Sequence, residues 1–257
     1  MVEVSVIGCG HLGSAVIKGL SRAGTHTITA CDLDEAALAE VDPYVDRTTK
    51  RVEVAAETPV VILTVRPQTV SPVLDDLEMD PEQTWLSFAA AVPTDFIAER
   101  TGATVVRGMP NLAVEHGSMA AAVTADGNEA VQTVLDDLGK YVVVDESLMD
   151  ISTALNGSGP AFAFYLMKVL ANAGVERGFD QEEAALLAAQ TFKGAAEIAM
   201  ASEKSLDELV DAVTSEGGTT IEGMEVLWES DVATVMEETI RATEERSVEI
   251  SEDFAND

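Results

Sequence analysis

The first 145 residues alternate short apolar runs with amphipathic segments. Apolar runs of strand length, rich in Val and Ile, occupy residues 2–8, 26–32, 59–65, 83–88, 103–109, 119–124 and 140–145. Apolar positions at helical spacing occur between them, for example in residues 12–23, 69–77, 93–101 and 128–138. This alternation predicts an α/β fold with a doubly wound, mostly parallel sheet.

The pattern changes after about residue 150, where apolar positions follow helical spacing only. Residues 160–178 are apolar on nearly every face, which predicts a helix buried in a core or in a subunit interface. Asp180 with Glu183, and Ser205 with Glu208, have the spacing of capping boxes that begin two further helices. We therefore predict an α/β domain over residues 1–152 and an all-helical domain over residues 153–257.

Charge narrows the choice of partners. The 257 residues include 46 acidic and 15 basic ones, for a net charge of -31. Such a surface repels nucleic acid and anionic membranes, so neither is expected as a partner. Because the acids are spread along the chain, they indicate a folded protein with an acidic coat. This coat is typical of proteins that work in molar salt, where charges are screened; an ordinary acidic protein is the alternative.

Other classes of protein find little support. Cys9 and Cys31 are the only cysteines and lie in segments predicted to be buried, which argues against a disulfide framework. The three histidines do not have the spacing of a metal site or a catalytic triad. No charge-free apolar stretch is long enough to span a membrane, and no signal peptide precedes the first strand. We expect a cytoplasmic protein without a metal.

A glycine-rich turn follows the first predicted strand. Gly8, Gly10 and Gly13 have the spacing G-x-G-x-x-G between that strand and the first helix. The glycines permit a tight turn and close approach of the backbone to a pyrophosphate, and the helix N-terminus supplies free N–H groups. The motif in this setting predicts a dinucleotide site; a purely structural turn is the alternative.

Asp32 ends the second predicted strand, 19 residues after Gly13. An acidic residue at this point accepts hydrogen bonds from the ribose 2′-OH of NAD, and no arginine stands near it in the sequence to bind a 2′-phosphate. We therefore predict that NADH is preferred over NADPH. The alternative is that Asp32 only caps the following helix.

Further motifs follow later strands. Residues 64–68 (TVRPQ) and 107–111 (RGMPN) each end a predicted strand with a proline turn, and residues 156–162 (NGSGPAF) place small residues at the start of the apolar helix. These motifs can line a pocket. They are also compatible with a solvated arginine loop and with tight helix packing around a proline in the first helical turn.

The segment 213–223 (VTSEGGTTIEG) interrupts the helical half of the chain. Thr219 and Glu222 have the spacing of a capping box, and Gly217–Gly218 predict a turn between two helices. The free N–H groups of the helix that begins here also attract a carboxylate. The segment can therefore be both a turn between helices and a binding site for an anion.

Together these motifs identify a resemblance to the pyrroline-5-carboxylate reductase family over essentially the whole chain. The resemblance depends on IGCGHLGSA, VRPQ, SFAAAVP, RGMPN, NGSGPAFAFYL, AAQTFKGAAE and VTSEGGTTIEG, in the family's order. It implies reduction of L-1-pyrroline-5-carboxylate to L-proline with NADH or NADPH. It also implies a Rossmann-type domain followed by a helical dimerisation domain, and rings of dimers are common in the family.

The resemblance also implies roles for individual residues. Those that would bind the pyrophosphate are Gly8, Gly10, His11, Leu12 and Gly13. Those that would line the nicotinamide side are Thr64, Val65, Arg66, Pro67, Ala89 and Ala90. Asn111 would contact the cofactor or the pocket. Ser215, Gly218 and Thr219 would bind the substrate carboxylate, and Thr220 would bind the ring nitrogen as the catalytic residue.

The chain departs from the family at several of these positions. His11 replaces Asn, Arg66 replaces Lys, Glu216 replaces Pro, and the segment 112–118 differs altogether. Glu216 would repel a substrate carboxylate, so we expect its side chain to face solvent or a neighbouring subunit. A reductase of another cyclic imino acid and an inactive nucleotide-binding scaffold are the alternative functions.

Overall fold

The computed structural model describes residues 1–75, 77 and 83–256, so residue 76 of the predicted helix 69–77 lies outside the described part. Backbone contacts divide the chain into two compact units. The first unit contains Met1–Pro160 and Ile240–Asp257, and the second contains Ala161–Thr239.

One eight-stranded sheet lies in the first unit, with the strand order β3-β2-β1-β4-β5-β6-β7-β8 among the described residues. The strands are β1 Val2–Ile7, β2 His26–Cys31, β3 Arg47–Thr49, β4 Val60–Leu63, β5 Thr84–Ser87, β6 Thr104–Met109, β7 Met119–Val123 and β8 Gly139–Val143. All neighbouring strands are parallel except β6 and β7. The predicted doubly wound, mostly parallel sheet is confirmed. Sequence reasoning missed β3, because its three residues, Arg-Thr-Thr, carry no apolar signal.

Helices cover the sheet. They are α1 His11–Ala23, α2 Glu35–Val41, α3 Val52–Ala55, α4 Pro67–Leu74, α5 Thr94–Thr101, α6 Glu129–Leu138 and α7 Met149–Ser152. Two apolar clusters form the core, one containing Val6, Leu20 and Leu135 and the other containing Leu63 and Trp85. The strands are therefore buried by helices on both faces, as parallel sheets require.

The second unit is built from helices. They are α8 Gly159–Val175, α9 Gln181–Ala201, α10 Leu206–Val213, α11 Thr219–Trp228 and α12 Val232–Asn256, the first and last of which continue into the first unit. The predicted capping box of Ser205 and Glu208 is present at α10. At α9 the Asp180 side chain accepts from the backbone N–H of Glu183 at 2.8 Å. Among the helices described, none is long and apolar enough to cross a membrane.

The apolar helix α8 is not buried within the chain. Phe164 and Tyr165 are 67% and 64% exposed, and Ala171 is the one fully buried residue of the helix. The prediction that a core buries this helix on every side is wrong for the single chain, because the second unit has no layer that covers it. The other predicted environment, a subunit interface, is the one that accounts for its apolar surface.

Candidate active site

The glycine turn between β1 and α1 is shaped for close backbone contact. A Cβ atom added at Gly13 would lie 1.8 Å from the carbonyl oxygen of Gly8, so no larger residue fits there. Gly10 is the N-cap of α1, no side chain caps this helix, and its first turn contains no acidic residue. The first N–H groups of α1 therefore remain free for an anion, and the turn fits the pyrophosphate of a dinucleotide.

Asp32 lies directly beside this turn. One of its carboxylate oxygens accepts from the backbone N–H of Cys9 at 2.7 Å and the other from that of Asp34 at 2.9 Å. These bonds fix the orientation of the carboxylate, and each oxygen keeps a further lone pair for a ribose hydroxyl. Asp34, and not Asp32, caps α2, since its side chain accepts from the N–H of Ala36. The capping alternative for Asp32 is therefore wrong.

Two basic residues follow β3, the strand that pairs with β2 just before Asp32, and the sequence did not reveal this neighbourhood. The N–H of Asp32 donates to the carbonyl of Thr49 on β3 at 3.3 Å, and Lys50 and Arg51 follow Thr49 directly. Lys50 forms an ion pair with Glu35, and Arg51 forms one with Glu53 at 2.9 Å. Lys50 and Arg51 are far from Asp32 in the sequence. The parallel pairing of β2 with β3 brings all three residues to the same edge of the sheet.

A cavity of about 420 Å³ opens next to Asp32. Its walls are Ile7, Gly8, Gly10, Cys31, Asp32, Leu33, Val52, Thr64, Val65, Arg66, Thr69, Pro72 and Val73. The Thr64 hydroxyl donates to the carbonyl oxygens of Ile7 and Gly8, at 3.0 Å and 2.6 Å, and so braces the glycine turn. Apolar walls around one carboxylate and one guanidinium match the adenosine half of a dinucleotide.

The residues predicted for the nicotinamide side do not all lie together. Thr64, Val65 and Arg66 line the cavity beside Asp32, whereas Pro67 lines a separate cavity of about 580 Å³ with Phe96 and Arg100. Ala89 and Ala90 lie in the loop that follows β5, in neither of these cavities. Ala90 is exposed while Ala89 is buried, so the backbone around Ala90 is the accessible part of this loop.

Three more predicted residues lie around the glycine turn and at the end of β6. His11 is exposed and is the first residue of α1, and Leu12 packs against the core. Asn111 follows β6, and its side-chain oxygen accepts from the N–H groups of Ala113 and Ala120 at 3.2 Å and 3.3 Å. Asn111 therefore shapes its own loop, and its amide NH₂ is the group left for a ligand.

Both cysteines are buried and free, as expected. Burial, followed by the negative charge of Asp32, raises the pKa of the Cys9 thiol to about 12. The same two causes raise the pKa of Cys31 to about 11. Both side chains stay protonated thiols at neutral pH and act as small apolar residues under the turn. In the part of the chain described, no cluster of His, Cys, Asp and Glu can hold a metal ion.

In the second unit, the turn between α10 and α11 leaves a helix N-terminus open. Gly218 is the N-cap of α11, and no side chain caps this helix. The predicted Thr219–Glu222 capping box is therefore wrong: Thr219 is already the first helical residue. A Cβ at Gly218 would lie 2.6 Å from the Ser215 hydroxyl and 3.0 Å from its carbonyl oxygen, so a larger residue would displace the Ser215 side chain. Glu216 is exposed, as expected.

The same turn gathers several donors. Ser215, Thr219 and Thr220 are exposed, and the N–H of Gly218 is used by the Ser215 carbonyl at 2.9 Å. Free N–H groups in the first turn of α11 and three hydroxyls thus occupy one short segment. This arrangement suits a small carboxylate, because amides at a helix N-terminus and hydroxyls both donate to anions.

Comparison with known proteins agrees with this geometry. Residues 146–250 match the family model for pyrroline-5-carboxylate reductase dimerisation, and residues 3–91 match that for NADP oxidoreductase, coenzyme F420-dependent. The chain is 37% identical to the pyrroline-5-carboxylate reductase of Methanosarcina acetivorans, over 96% of this chain and 97% of that protein. It is 32% identical to that of Pseudomonas aeruginosa, over 97% of each.

A solved structure extends the likeness to three dimensions. The pyrroline-5-carboxylate reductase of Coxiella burnetii superposes with a TM-score of 0.86 at 27% identity, covering 97% of this chain and 98% of that one. Sequence and fold thus agree over nearly the full length of both proteins. The chain belongs to the pyrroline-5-carboxylate reductase family.

Proposed function

We propose that this chain reduces L-1-pyrroline-5-carboxylate to L-proline, the last step of proline synthesis, with NAD(P)H as the reductant. Family membership supports the reaction, and the open N-terminus of α11 is the observation that supports the substrate. Residues 1–152 serve nucleotide binding and residues 153–257 serve substrate binding and self-association. The direct test is NADH oxidation on addition of pyrroline-5-carboxylate, compared with a panel of other cyclic imino acids. If none of them is turned over, the function is that of an inactive nucleotide-binding scaffold.

The substrate carboxylate is assigned to the turn before α11. Ser215 and Thr219 donate through hydroxyls and Gly218 and Thr219 border the free amides of the first helical turn. The positive end of the α11 dipole adds to the attraction. Glu216 is exposed, and we assign its carboxylate to solvent, where it does not oppose the anion.

Thr220 is assigned to the ring nitrogen. The bound cofactor supplies the hydride; the protein holds the substrate and its proton. A threonine hydroxyl is too weak an acid to be the sole proton source at neutral pH, so Thr220 orients the protonated ring nitrogen and relays a proton from water.

Thr220→Ala should lower kcat/KM by at least about ten-fold, which corresponds to about 1.4 kcal/mol of lost transition-state stabilisation. Thr191→Ala is the matched control, because the Thr191 hydroxyl donates to the Leu187 carbonyl within α9 and Thr191 is not among the residues assigned to substrate or cofactor contacts. Steady-state kinetics of both variants check the prediction. Near-wild-type kinetics of Thr220→Ala would remove Thr220 from the mechanism.

The cofactor is assigned to the glycine turn and its cavity. Gly8, Gly10, His11, Leu12 and Gly13 border the pyrophosphate. Asp32, Val65 and Arg66 hold the adenosine half, since they line one cavity. Thr64 braces the turn from below. Ala89 and Ala90 follow β5, and Asn111 follows β6. In doubly wound folds the nicotinamide half of the cofactor binds at this edge, the carboxyl ends of the strands.

NADH is the preferred form of the cofactor. Asp32 presents an oriented carboxylate to the ribose, and Lys50 and Arg51 are already paired with Glu35 and Glu53. We expect kcat/KM for NADH to exceed that for NADPH, and Asp32→Asn to reduce the ratio by about ten-fold, as for one charge-assisted hydrogen bond. A clear preference of the wild-type enzyme for NADPH would contradict this and would point to Lys50 and Arg51 as phosphate ligands.

The active form is at least a dimer, formed through the helical region that matches the family's dimerisation model, and a ring of dimers is compatible with it. The protein works in a salt-rich cytoplasm, because a net charge of -31 repels itself unless salt screens it. Activity and the fraction of associated protein should therefore rise between about 0.1 M and 1 M KCl. Over this range the Debye length shortens from about 10 Å to 3 Å. Full activity at low salt with no gain at high salt would reject the salt adaptation alone.

A further inference from the structure

The loop that joins β5 to α5, residues 88–93, adopts a strained conformation at one point. Ala91 has a φ of 62°, the only positive φ of a non-glycine residue in the described part of the chain. Ala89 and Ala91 are buried and Ala90 between them is exposed. An L-residue takes this left-handed conformation only when its surroundings enforce it.

Glu146 ties the end of this loop to the sheet. One carboxylate oxygen of Glu146 accepts from the backbone N–H of Thr94, at 2.8 Å, and from Nη1 of Arg107, at 3.0 Å. Thr94 is the first residue of α5, directly after the loop, and Arg107 lies on β6. A single oxygen atom thus joins three separate segments of the chain.

The junction between Thr94 and Arg107 depends on the Glu146 carboxylate. The Arg107 side chain is 7% exposed, and Glu146 is its only ion-pair partner among the described residues. The Nε of Arg107 and the hydroxyl of Thr94 are buried without a hydrogen-bond partner. Without Glu146, a buried guanidinium would lose its counter-charge and the backbone N–H of Thr94 would lose its acceptor. The loop end would then be free to move away from β6.

We propose that Glu146 is a positioning residue: through Thr94 and Arg107 it holds the strained loop around Ala91 in the shape that receives the nicotinamide half of the cofactor. The inference rests on the proposed placement of Ala89 and Ala90 beside the nicotinamide. The cavity beside Asp32, assigned to the adenosine half, is lined by none of these residues, so its affinity for ligand should stay unchanged when Glu146 is replaced.

Binding of two ligands to the purified enzyme tests the proposal. NADH reports both halves of the site, and ADP-ribose, which lacks the nicotinamide, reports only the other half. In Glu146→Ala the ratio of NADH affinity to ADP-ribose affinity should fall by about ten-fold, with ADP-ribose affinity unchanged, as expected for losing one charge-assisted contact that orders a loop. A change that affects both ligands equally, or neither, would overturn the proposal.

Two further variants separate strain from general damage. Adding Ala91→Gly to Glu146→Ala should recover most of the lost ratio, because glycine adopts a positive φ without enforcement. Failure of this rescue would contradict the role of the strained loop. If Glu146→Ala does not fold, Glu146→Gln serves instead: it keeps an acceptor oxygen but not the charge, and it should lower the ratio by a smaller factor that Ala91→Gly again restores.

A last variant distinguishes this inference from the assignment on which it rests. Ala90→Leu places a larger side chain at the exposed point of the loop and should also lower the NADH to ADP-ribose ratio. If Ala90→Leu lowers it and Glu146→Ala does not, only the role of Glu146 fails. If Ala90→Leu leaves it unchanged, the placement of the loop beside the nicotinamide fails.

Discussion

The two compact units treat their apolar residues in opposite ways. The first unit buries large side chains on both faces of its sheet, and Trp85, Leu86 and Ile97 have no exposed surface. In the second unit the fully buried cluster consists of Ala171, Ala184 and Ala188 alone. Its large apolar residues face outward, for example Phe164, Leu186, Ile198, Met200, Val226 and Trp228.

The difference shows which part of the protein one chain completes by itself. A parallel sheet covered by helices on both faces closes its own core, whereas the helices of the second unit leave most of their large apolar side chains exposed. An exposed apolar surface of this kind marks an interface. We therefore expect the stability of the first unit to be a property of the single chain and that of the second to depend on protein concentration.

The two tryptophans give the largest contrast. Trp85→Ala removes a buried side chain from the core around β5 and should lower the free energy of unfolding by about 3–5 kcal/mol. Trp228→Ala removes one that is 58% exposed in the single chain and should leave unfolding of the first unit unchanged. Urea unfolding of each variant at two protein concentrations is the measurement. Equal losses for both variants would erase the distinction between the units.

A second comparison places charges on exposed apolar positions of each unit. Leu186 on α9 and Val142 on β8 are 68% and 61% exposed. Leu186→Glu should weaken self-association by at least about 2 kcal/mol, the range of interface hot spots, because it buries an unpaired charge. Val142→Glu is the matched control and should associate as the wild type does. Sedimentation analysis decides; dissociation of both variants would place the interface outside the second unit.

The smallest effect concerns local helix ends. With few buried contacts, α10 depends on its capping box, in which Ser205 and Glu208 each accept from the other's N–H. Ser205→Ala should destabilise α10 by about 1 kcal/mol. Hydrogen exchange should show faster exchange of the amides of 206–213 and unchanged protection in β1 and β4. Uniformly faster exchange would mean that the cap supports the whole chain.

Short segments of the sequence predicted much of the fold and the glycine turn. Strand periodicity, the spacing of Gly8, Gly10 and Gly13, and the acidic residue after β2 are properties of short segments, and each predicted element of the sheet appears in the structure. Helix caps were less reliable. The Ser205 box is present, whereas Thr219 lies inside α11, because Gly218 with Ser215 ends the turn one residue earlier than the pattern indicates.

The sequence by itself determined the alternation of strands and helices apart from β3, the glycine turn, and the turn between the helices α10 and α11. Only the tertiary structure brought Thr49 against Asp32 and Glu146 against Arg107 and Thr94, because residues far apart in the chain meet through strand pairing and helix packing. It also decided that α8 is exposed in the single chain. A sequence that is apolar on all faces of a helix predicts that the helix is buried, but whether the same chain or a second subunit buries it depends on the tertiary structure.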